Sequence, residues 1–383
     1  MIKIVTIIGA RPQIIKAAAL SRAIKNYFSS EIVEVIVHTG QHYDENMSGV
    51  FISQLGIPEP KYNLQVGSGS HGIATAKMIS GIEEIIMTEK PDYLVLYGDT
   101  NSTLAGAIAA SKIHTPIVHI EAGLRSFNKY MPEEINRIMC DHVSTILFSP
   151  TQTGINNLMN EGFELNEDKD VNMDNPAIYH CGDVMYDNSL YFSDIANKES
   201  GILIQNNLVN GNFYLATIHR DYNTDNAERM MSLFSAFNEL TKNWKTDLVL
   251  PIHPRTLKLL KGKLGESLYN EVIENKFIKI IEPVNFFDMI ALESNCKMVL
   301  TDSGGVQKEA YFFKKPCLIL RTETEWVELL EAGTAKLCDA NKDEILNAVE
   351  YFNSENKLEF PEVFGDGNAA KFICEKMLFH AAK

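Results

Sequence analysis

Short apolar runs alternate with helix-length amphipathic segments from one end of the chain to the other. The runs at Lys3–Ile8, Ile32–Val37, Tyr93–Tyr97, Ile117–Ile120 and Thr145–Phe148 predict strands. The segments around Gln13–Tyr27, Asp44–Leu55, Ile73–Thr88, Thr103–Ile113, Pro132–Asp141 and Thr151–Asn160 predict the helices between them. Strict strand–helix alternation is the pattern of a parallel sheet covered by helices, so the first half reads as one doubly wound α/β domain. Residues 161 to 176 break the rhythm with FELNEDKDVNMDNP, acidic and poor in apolar positions, which predicts a surface loop. The alternation resumes with strands at Phe213–Thr217, Asp247–Pro251, Phe277–Ile281, Lys297–Leu300 and Cys317–Leu320, separated by helices such as Asp225–Thr241. A second doubly wound domain follows from that. The last helical pattern, Gly367–Ala382, comes after the turn Phe364-Gly365-Asp366-Gly367 and is expected to pack back on the first domain. The expected division is therefore 1–181, 182–363 and a closing helix in 364–383. No internal repeat, heptad pattern or low-complexity run appears.

Bulk composition changes this picture little but excludes several classes of partner. A chain of 383 residues with 45% hydrophobic and 22% charged positions is long enough for two cores and ordinary for a globular protein. Its formal net charge of -15 argues against general attraction to nucleic acid or an anionic membrane. The six cysteines are scattered without a Cys-x-x-Cys pair, which fits reduced core residues of a cytoplasmic protein rather than a disulfide frame or zinc site. The apolar N-terminus runs into a glycine turn and is too short to span a membrane.

Ligands of open parallel sheets sit beyond the carboxyl ends of the strands, so the residues just after each strand carry the functional information. The most pointed stretch is Met298–Phe313, MVLTDSGGVQKEAYFF, in which a strand runs into Thr301-Asp302-Ser303-Gly304-Gly305 and a helix follows at once. Such a junction aims free backbone amides and the positive end of the helix dipole at one spot, and paired glycines allow an anion close to the backbone. Two readings stand: a phosphate cradle, or a tight turn in which Asp302 or Ser303 only caps the helix.

After the first strand come Gly9-Ala10-Arg11-Pro12-Gln13 and, one turn on, Lys16. Two cations there sit where the dipole disfavours them, and an anionic ligand would relieve the conflict. Gln41 and His42 follow the second strand and are placed only near the site. Asp99 follows the strand ending at Tyr97, and Glu121 follows the one ending at Ile120. If those strands are neighbours, the two acids stand about 5 Å apart in backbone terms. Carboxylates that close split their pKa values, which suits proton transfer, although Asp99 alone also reads as a helix cap. In Met131-Pro132-Glu133-Glu134-Ile135-Asn136-Arg137 either acid shares a helix face with Arg137. In the second half, His219 and Arg220 end one strand in position to touch a diphosphate. His253 lies between two prolines as either a ligand or a hinge residue. Arg321 to Trp326 end the last strand, with Trp326 compatible with packing alone.

Together these segments resemble the non-hydrolysing UDP-N-acetylglucosamine 2-epimerases. The matching stretches are GARPQIIKAA from Gly9, GQH from Gly40, GDTNSTLAG from Gly98, HIEAGLRS from His119, PEEINR from Pro132, HR at His219, PIHP from Pro251, TDSGGVQKEA from Thr301 and EAGT from Glu331. They occur in order over nearly the whole chain. The resemblance implies two Rossmann-like domains in the B-type glycosyltransferase arrangement, with the active site in the interdomain cleft, usually in a homodimer that serves cell-surface polysaccharide biosynthesis. It assigns Asp99, Glu121, Glu134 and His219 to catalysis. Arg11, Lys16, Arg137, Arg220, Ser303, Gly304, Gly305 and Glu309 become substrate-binding, Glu309 on the ribose hydroxyls. It implies elimination of UDP from C1 as the C2 proton leaves, then re-addition, with no metal and no other cofactor.

Three departures from the family pattern bear on this. Gln13 stands where relatives commonly have glutamate. The stretch after His42 and the segment Asn63–Gly72 lack the glutamine and arginine with which some bacterial members bind an allosteric second substrate. Thr324-Glu325-Trp326-Val327-Glu328 replaces the usual Thr-Glu-Arg-Pro-Glu and looks like the branch that includes UDP-2,3-diacetamido-2,3-dideoxyglucuronate 2-epimerases. That sugar is the alternative substrate. A glycosyltransferase of the same fold would need only one base and an acceptor groove, and a non-catalytic UDP-sugar sensor would keep the phosphate turn but lose the acids, all of which are present.

Overall fold

The computed structural model describes residues 1–40, 55–67, 69–166, 170–252, 254–354 and 357–382, with the side chains of 254 and 255 left aside. Gln41, His42, His253, the side chain of Arg255 and nearly all of the expected helix at 44–55 lie outside the described residues. The chain divides into two compact units, 1–188 with 362–383, and 189–361.

The first unit holds a seven-stranded parallel sheet in the order β3-β2-β1-β4-β5-β6-β7. Its strands are β1 (Ile2–Ile8), β2 (Ile32–His38), β3 (Tyr62–Asn63), β4 (Tyr93–Tyr97), β5 (Ile117–Ile120), β6 (Ile146–Ser149) and β7 (Ala177–His180). The covering helices are α1 (Arg11–Ala23), α2 (His71–Glu89), α3 (Asn101–Lys112), α4 (Pro132–Asp141) and α5 (Gln152–Asn160). Ile4, Val5, Ile7 and Ile8 of β1 and Leu94, Val95, Leu96 and Tyr97 of β4 are all buried, as strands sandwiched between helix layers must be. The strand order reverses between β1 and β4, the switch point of such sheets.

Three elements of this unit differ from expectation for physical reasons. The first helix was expected to run unbroken to Tyr27, but after Ala23 it widens into a π-helical turn, Ile24–Phe28, which seats Ile24 and Phe28 in the core. Strands β3 and β7 escaped prediction because one pairs only two residues and the other directly follows the acidic loop.

The second unit holds a six-stranded parallel sheet, β10-β9-β8-β11-β12-β13. Its strands are β8 (Phe213–Thr217), β9 (Asp247–Pro251), β10 (Ile278–Ile281), β11 (Met298–Thr301), β12 (Cys317–Ile319) and β13 (Ala335–Leu337). Around it lie α6 (Val184–Glu199), whose first turns belong to the first unit, α7 (Ala227–Trp244), α8 (Pro254–Glu274), α9 (Phe286–Asn295), α10 (Gly304–Phe312) and α11 (Lys342–Ser354). Tyr214, Phe234, Phe237, Leu248, Leu250, Leu300 and Leu318 form its core. The final helix, α12 (Ala369–Ala381), packs on α1 in the first unit. The Asp187 carboxylate accepts from the amides of Ala369 and Ala370 at its start, at 3.1 and 2.8 Å.

Candidate functional site

Adjacent strands β4 and β5 pair with Tyr97 opposite Ile120, so the residues that follow them emerge side by side. Both strand ends turn through left-handed backbone, at Gly98 with φ 58° and at Glu121 with φ 75°. Glycine takes that conformation freely, whereas for glutamate it is strained by about 1–3 kcal/mol. The strain points the Glu121 carboxylate back toward Gly98, where a Cβ would come within 2.9 Å of its Oε2. Only glycine leaves room for it.

Lys16, one turn into α1, forms an ion pair with Glu121, and both side chains are nearly buried. The cation at the unfavourable end of α1 is thus matched by a carboxylate of the protein itself. Arg11 is exposed in the first turn of the same helix. Gln13 explains its own departure from glutamate: its oxygen accepts from the amides of Gly9 and Ala10 at 3.0 and 3.2 Å, while its amide donates to the Tyr97 carbonyl and to Thr103. A carboxylate could not donate at all.

Asp99 is not a helix cap. Thr100 caps α3 by accepting from the Thr103 amide, which leaves the Asp99 carboxylate to meet Arg137 Nε at 3.2 Å. Arg137 also reaches Glu134 at 3.5 Å and is itself 4% exposed, so one buried guanidinium joins two acids. Of the two candidates in α4, Glu133 is exposed and Glu134 is buried. Glu134 accepts from the amides of Ser126 and Phe127, both at 2.9 Å, tying down the loop that follows Glu121. Burial raises the pKa of Asp99 above its usual 3.8, opposed by the charges of Arg137 and Lys16 and reinforced by Glu121. This holds although 34% of its side chain stays open to solvent. Asp99, Glu121, Glu134, Lys16 and Arg137 are therefore one charge network.

Beneath it lies a support that the sequence reading passed over. His119, within β5, is fully buried; its Nε2 meets the Gly98 carbonyl at 2.8 Å and its Nδ1 meets Asp141 at 2.6 Å. Asp141 also accepts from Arg125 and from the Gly123 amide. Burial opposes a charge on His119, but Cys140 and Asp141 outweigh it and raise its pKa well above 6.5. Asn136 adds a hydrogen bond to the Asp99 carbonyl at 2.8 Å. A polar residue inside the apolar run IVHI was the available signal.

In the second unit β11 runs into α10 through the glycine turn. Ser303 caps the helix, accepting from the Val306 amide at 3.5 Å, and Gly304 and Gly305 open its first turn at the positive end of the dipole. Asp302, expected at most to cap, has a different part. It is fully buried and accepts from the amides of His219 and Arg220 and from Asn223, at 3.0 to 3.2 Å. It also meets His219 Nδ1 at 3.1 Å, while 57% of the imidazole remains exposed. Burial raises the pKa of Asp302, yet the hydrogen bonds from His219 and Asn223 prevail and lower it below 3.8. The loop after β12 stands over the turn: a Cβ on Gly304 would meet Glu325 Oε2 at 3.6 Å and Arg321 and Trp326 at 3.9 Å. Arg321 and Glu325 pair at 3.1 Å, Thr324 donates to Gln307 at 2.6 Å, and the Lys308 ammonium lies 4.2 Å from the Trp326 ring centroid. Trp326, 5% exposed, packs within its own unit. Glu309 sits half-buried further along α10. Among the described residues no group of His, Cys, Asp and Glu is arranged to hold a metal ion, and no helix is long and apolar enough to cross a membrane.

A family model described as UDP-N-acetylglucosamine 2-epimerase matches residues 26–378. A Methanococcus maripaludis protein named UDP-N-acetylglucosamine 2-epimerase homolog is 47% identical, over 97% of this chain and 98% of its own. The UDP-2,3-diacetamido-2,3-dideoxy-D-glucuronate 2-epimerase of Pseudomonas aeruginosa is 48% identical, over 97% of this chain and 98% of its own. Among solved structures, the UDP-GlcNAc 2-epimerase of Methanocaldococcus jannaschii in complex with UDP-GlcNAc and UDP matches with TM-score 0.82 and 40% identity, over 98% of this chain and 99% of that one. Two doubly wound parallel sheets agree with these matches, and the chain belongs to the UDP-N-acetylglucosamine 2-epimerase family.

Proposed function

We propose that this protein is a non-hydrolysing UDP-N-acetylglucosamine 2-epimerase, an isomerase that interconverts UDP-N-acetylglucosamine and UDP-N-acetylmannosamine. The observation that carries the reading is the pair of acids at neighbouring strand ends, Asp99 on Arg137 and Glu121 on Lys16. The hydrogen on C2 of the sugar is not acidic, so deprotonation alone is too slow. A base takes the C2 proton as the C1–O bond breaks and its electron pair leaves with UDP, which forms a neutral C1=C2 glycal. The proton then returns to the opposite face and a diphosphate oxygen re-forms the bond at C1. That sequence needs proton-handling groups beside C2, and Asp99, whose pKa burial raises, and ion-paired Glu121 are the pair we assign to it. Glu134 holds Arg137 and the adjoining loop in place and is the third acid.

The leaving diphosphate needs a fixed positive environment. We give that part to Ser303, Gly304 and Gly305 at the start of α10, with Arg11, Arg220 and His219. Because Asp302 engages Nδ1 of His219, Nε2 is the nitrogen left to face the ligand. Glu309 takes the ribose hydroxyls. The chemistry requires neither a metal nor a nicotinamide.

A second substrate reading has its own support. Trp326 stands over the glycine turn with Val327 next to it in sequence, and the Pseudomonas relative acts by name on a diacetamido-glucuronate. Incubation with each UDP-sugar in deuterated water, followed by NMR, decides between them. The true substrate equilibrates with its epimer and gains deuterium at C2; a product without label at C2 excludes the elimination route. We further place the protein in the cytoplasm as a homodimer that serves cell-surface polysaccharide synthesis, a setting that keeps its six free cysteines reduced.

A further inference from the structure

Helix α9 carries Glu293 into the interior of the second unit, where it is 0% exposed. Among the described residues neither of its carboxyl oxygens has an N–H or O–H donor. A lone carboxylate in such a place is strongly disfavoured, and a bare acid has no evident reason to be there. What faces it is a second carboxyl, Glu309 on α10. Two acceptors can join only through a proton, so the contact is an acid–carboxylate pair. Burial first, and the charge of Glu309 second, raise the pKa of Glu293 well above 4.5. The charge that acts on it is that of Glu309. The short helix Ile202–Gln205, which packs against α9, brings no ionisable side chain. Cys296 at the end of α9 is itself raised by burial, and the charge of Lys315, after α10, acts on that thiol.

Glu309 lies five residues beyond Gly304 on the same helix, about 7–8 Å along its axis. That is the order of separation between the diphosphate and the ribose hydroxyls of one nucleotide. Its side chain is useful there only if its orientation is fixed.

We propose that Glu293 is a positioning residue for the nucleotide: its buried carboxyl hydrogen-bonds the Glu309 carboxylate and holds it in the orientation that accepts the ribose hydroxyls. This role rests on the ribose contact given to Glu309 above. The proton of Glu293 is shared with one oxygen of Glu309. When alkali removes the shared proton, two adjacent anions repel and Glu309 is displaced.

Two measurements test this. Infrared spectra of the protein without substrate should contain the carbonyl stretch of a protonated carboxylic acid, lost in Glu293→Gln. Kinetics across pH should show KM for the UDP-sugar rising on the alkaline side in the native protein while kcat is much less affected. Glu293→Ala should raise KM and the Kd for UDP about tenfold, the effect of losing one charge-assisted hydrogen bond. Glu293→Gln restores a donor that cannot ionise, so it should recover most of that loss and abolish the alkaline rise. A missing carbonyl band, or an alkaline rise unchanged in Glu293→Gln, overturns the proposal. If the Ala variant does not fold, the native and Gln proteins alone give both readouts. Normal UDP affinity in Glu309→Gln overturns the ribose contact instead, and is told apart by an infrared band that is still present and still lost in Glu293→Gln.

Discussion

Asp302 has no exposed surface, yet it organises an exposed group of the proposed diphosphate site, the His219 imidazole. Asp302→Asn keeps the shape and turns one acceptor into a donor that faces the amides of His219 and Arg220. Loss of one such bond, at about 1.5–3 kcal/mol for a charged partner, should lower kcat/KM about 10- to 100-fold in a steady-state assay. The same residue gives a pH signature. Its folded pKa lies below the unfolded 3.8, so its stabilisation is complete above that value and fades as pH falls through the lower folded value. The stability gap between native protein and Asp302→Asn, read from denaturant midpoints, should therefore close in acid. Asp99 has the opposite sign. Its raised pKa should put the acid limb of kcat/KM above the usual carboxylate range, and Lys16→Met, which removes one of the charges that hold it down, should move that limb to higher pH. A limb that stays in place in Lys16→Met would remove Asp99 from the proton-transfer step.

At the scale of elements, the proposed acid pair stands where β4 and β5 end, next to left-handed backbone at Gly98 and Glu121. Gly98→Ala adds about 1–2 kcal/mol of backbone strain and sets a methyl against the Glu121 carboxylate, 2.9 Å away, so Lys16 and Glu121 must shift. We expect a stability loss of that order with at least a tenfold fall in kcat, measured by denaturation and turnover on the same preparation. The loop after β12 is held differently, by one buried aromatic under a lysine. Trp326→Ala should cost about 3–5 kcal/mol in the unfolding of the second unit, through lost packing and the Lys308 contact, and Trp326→Phe much less. Helix α12 depends on the Asp187 carboxylate at its start, and burial raises the pKa of that group to about 6. Because this folded value is above the unfolded 3.8, the group favours folding less as pH rises through 6, so Asp187→Asn should flatten that part of the pH–stability profile.

For the whole molecule, the proposed homodimer predicts a solution mass of twice the 43.0 kDa chain in light scattering, and a single-chain mass would refute it. Strand–helix alternation, the two parallel sheets and the glycine turn at Ser303–Gly305 were legible in the chain because each depends on local periodicity and on residues adjacent in sequence. The limits of β4, β5, α4 and β8 could be read directly for the same reason. Residues far apart were not legible in this way. Nothing near His119 announces that it joins the Gly98 carbonyl to Asp141, nothing near Asp302 that it captures the amides of a loop 82 and 83 residues earlier, and nothing near Glu293 that it meets Glu309. Sequence alone determined which chemical groups stand at the ends of the strands, since alternation places them there. Only the tertiary structure decided which of those groups pair, because burial and charge compensation act between neighbours in space, and long loops bring together residues with no local signal of one another.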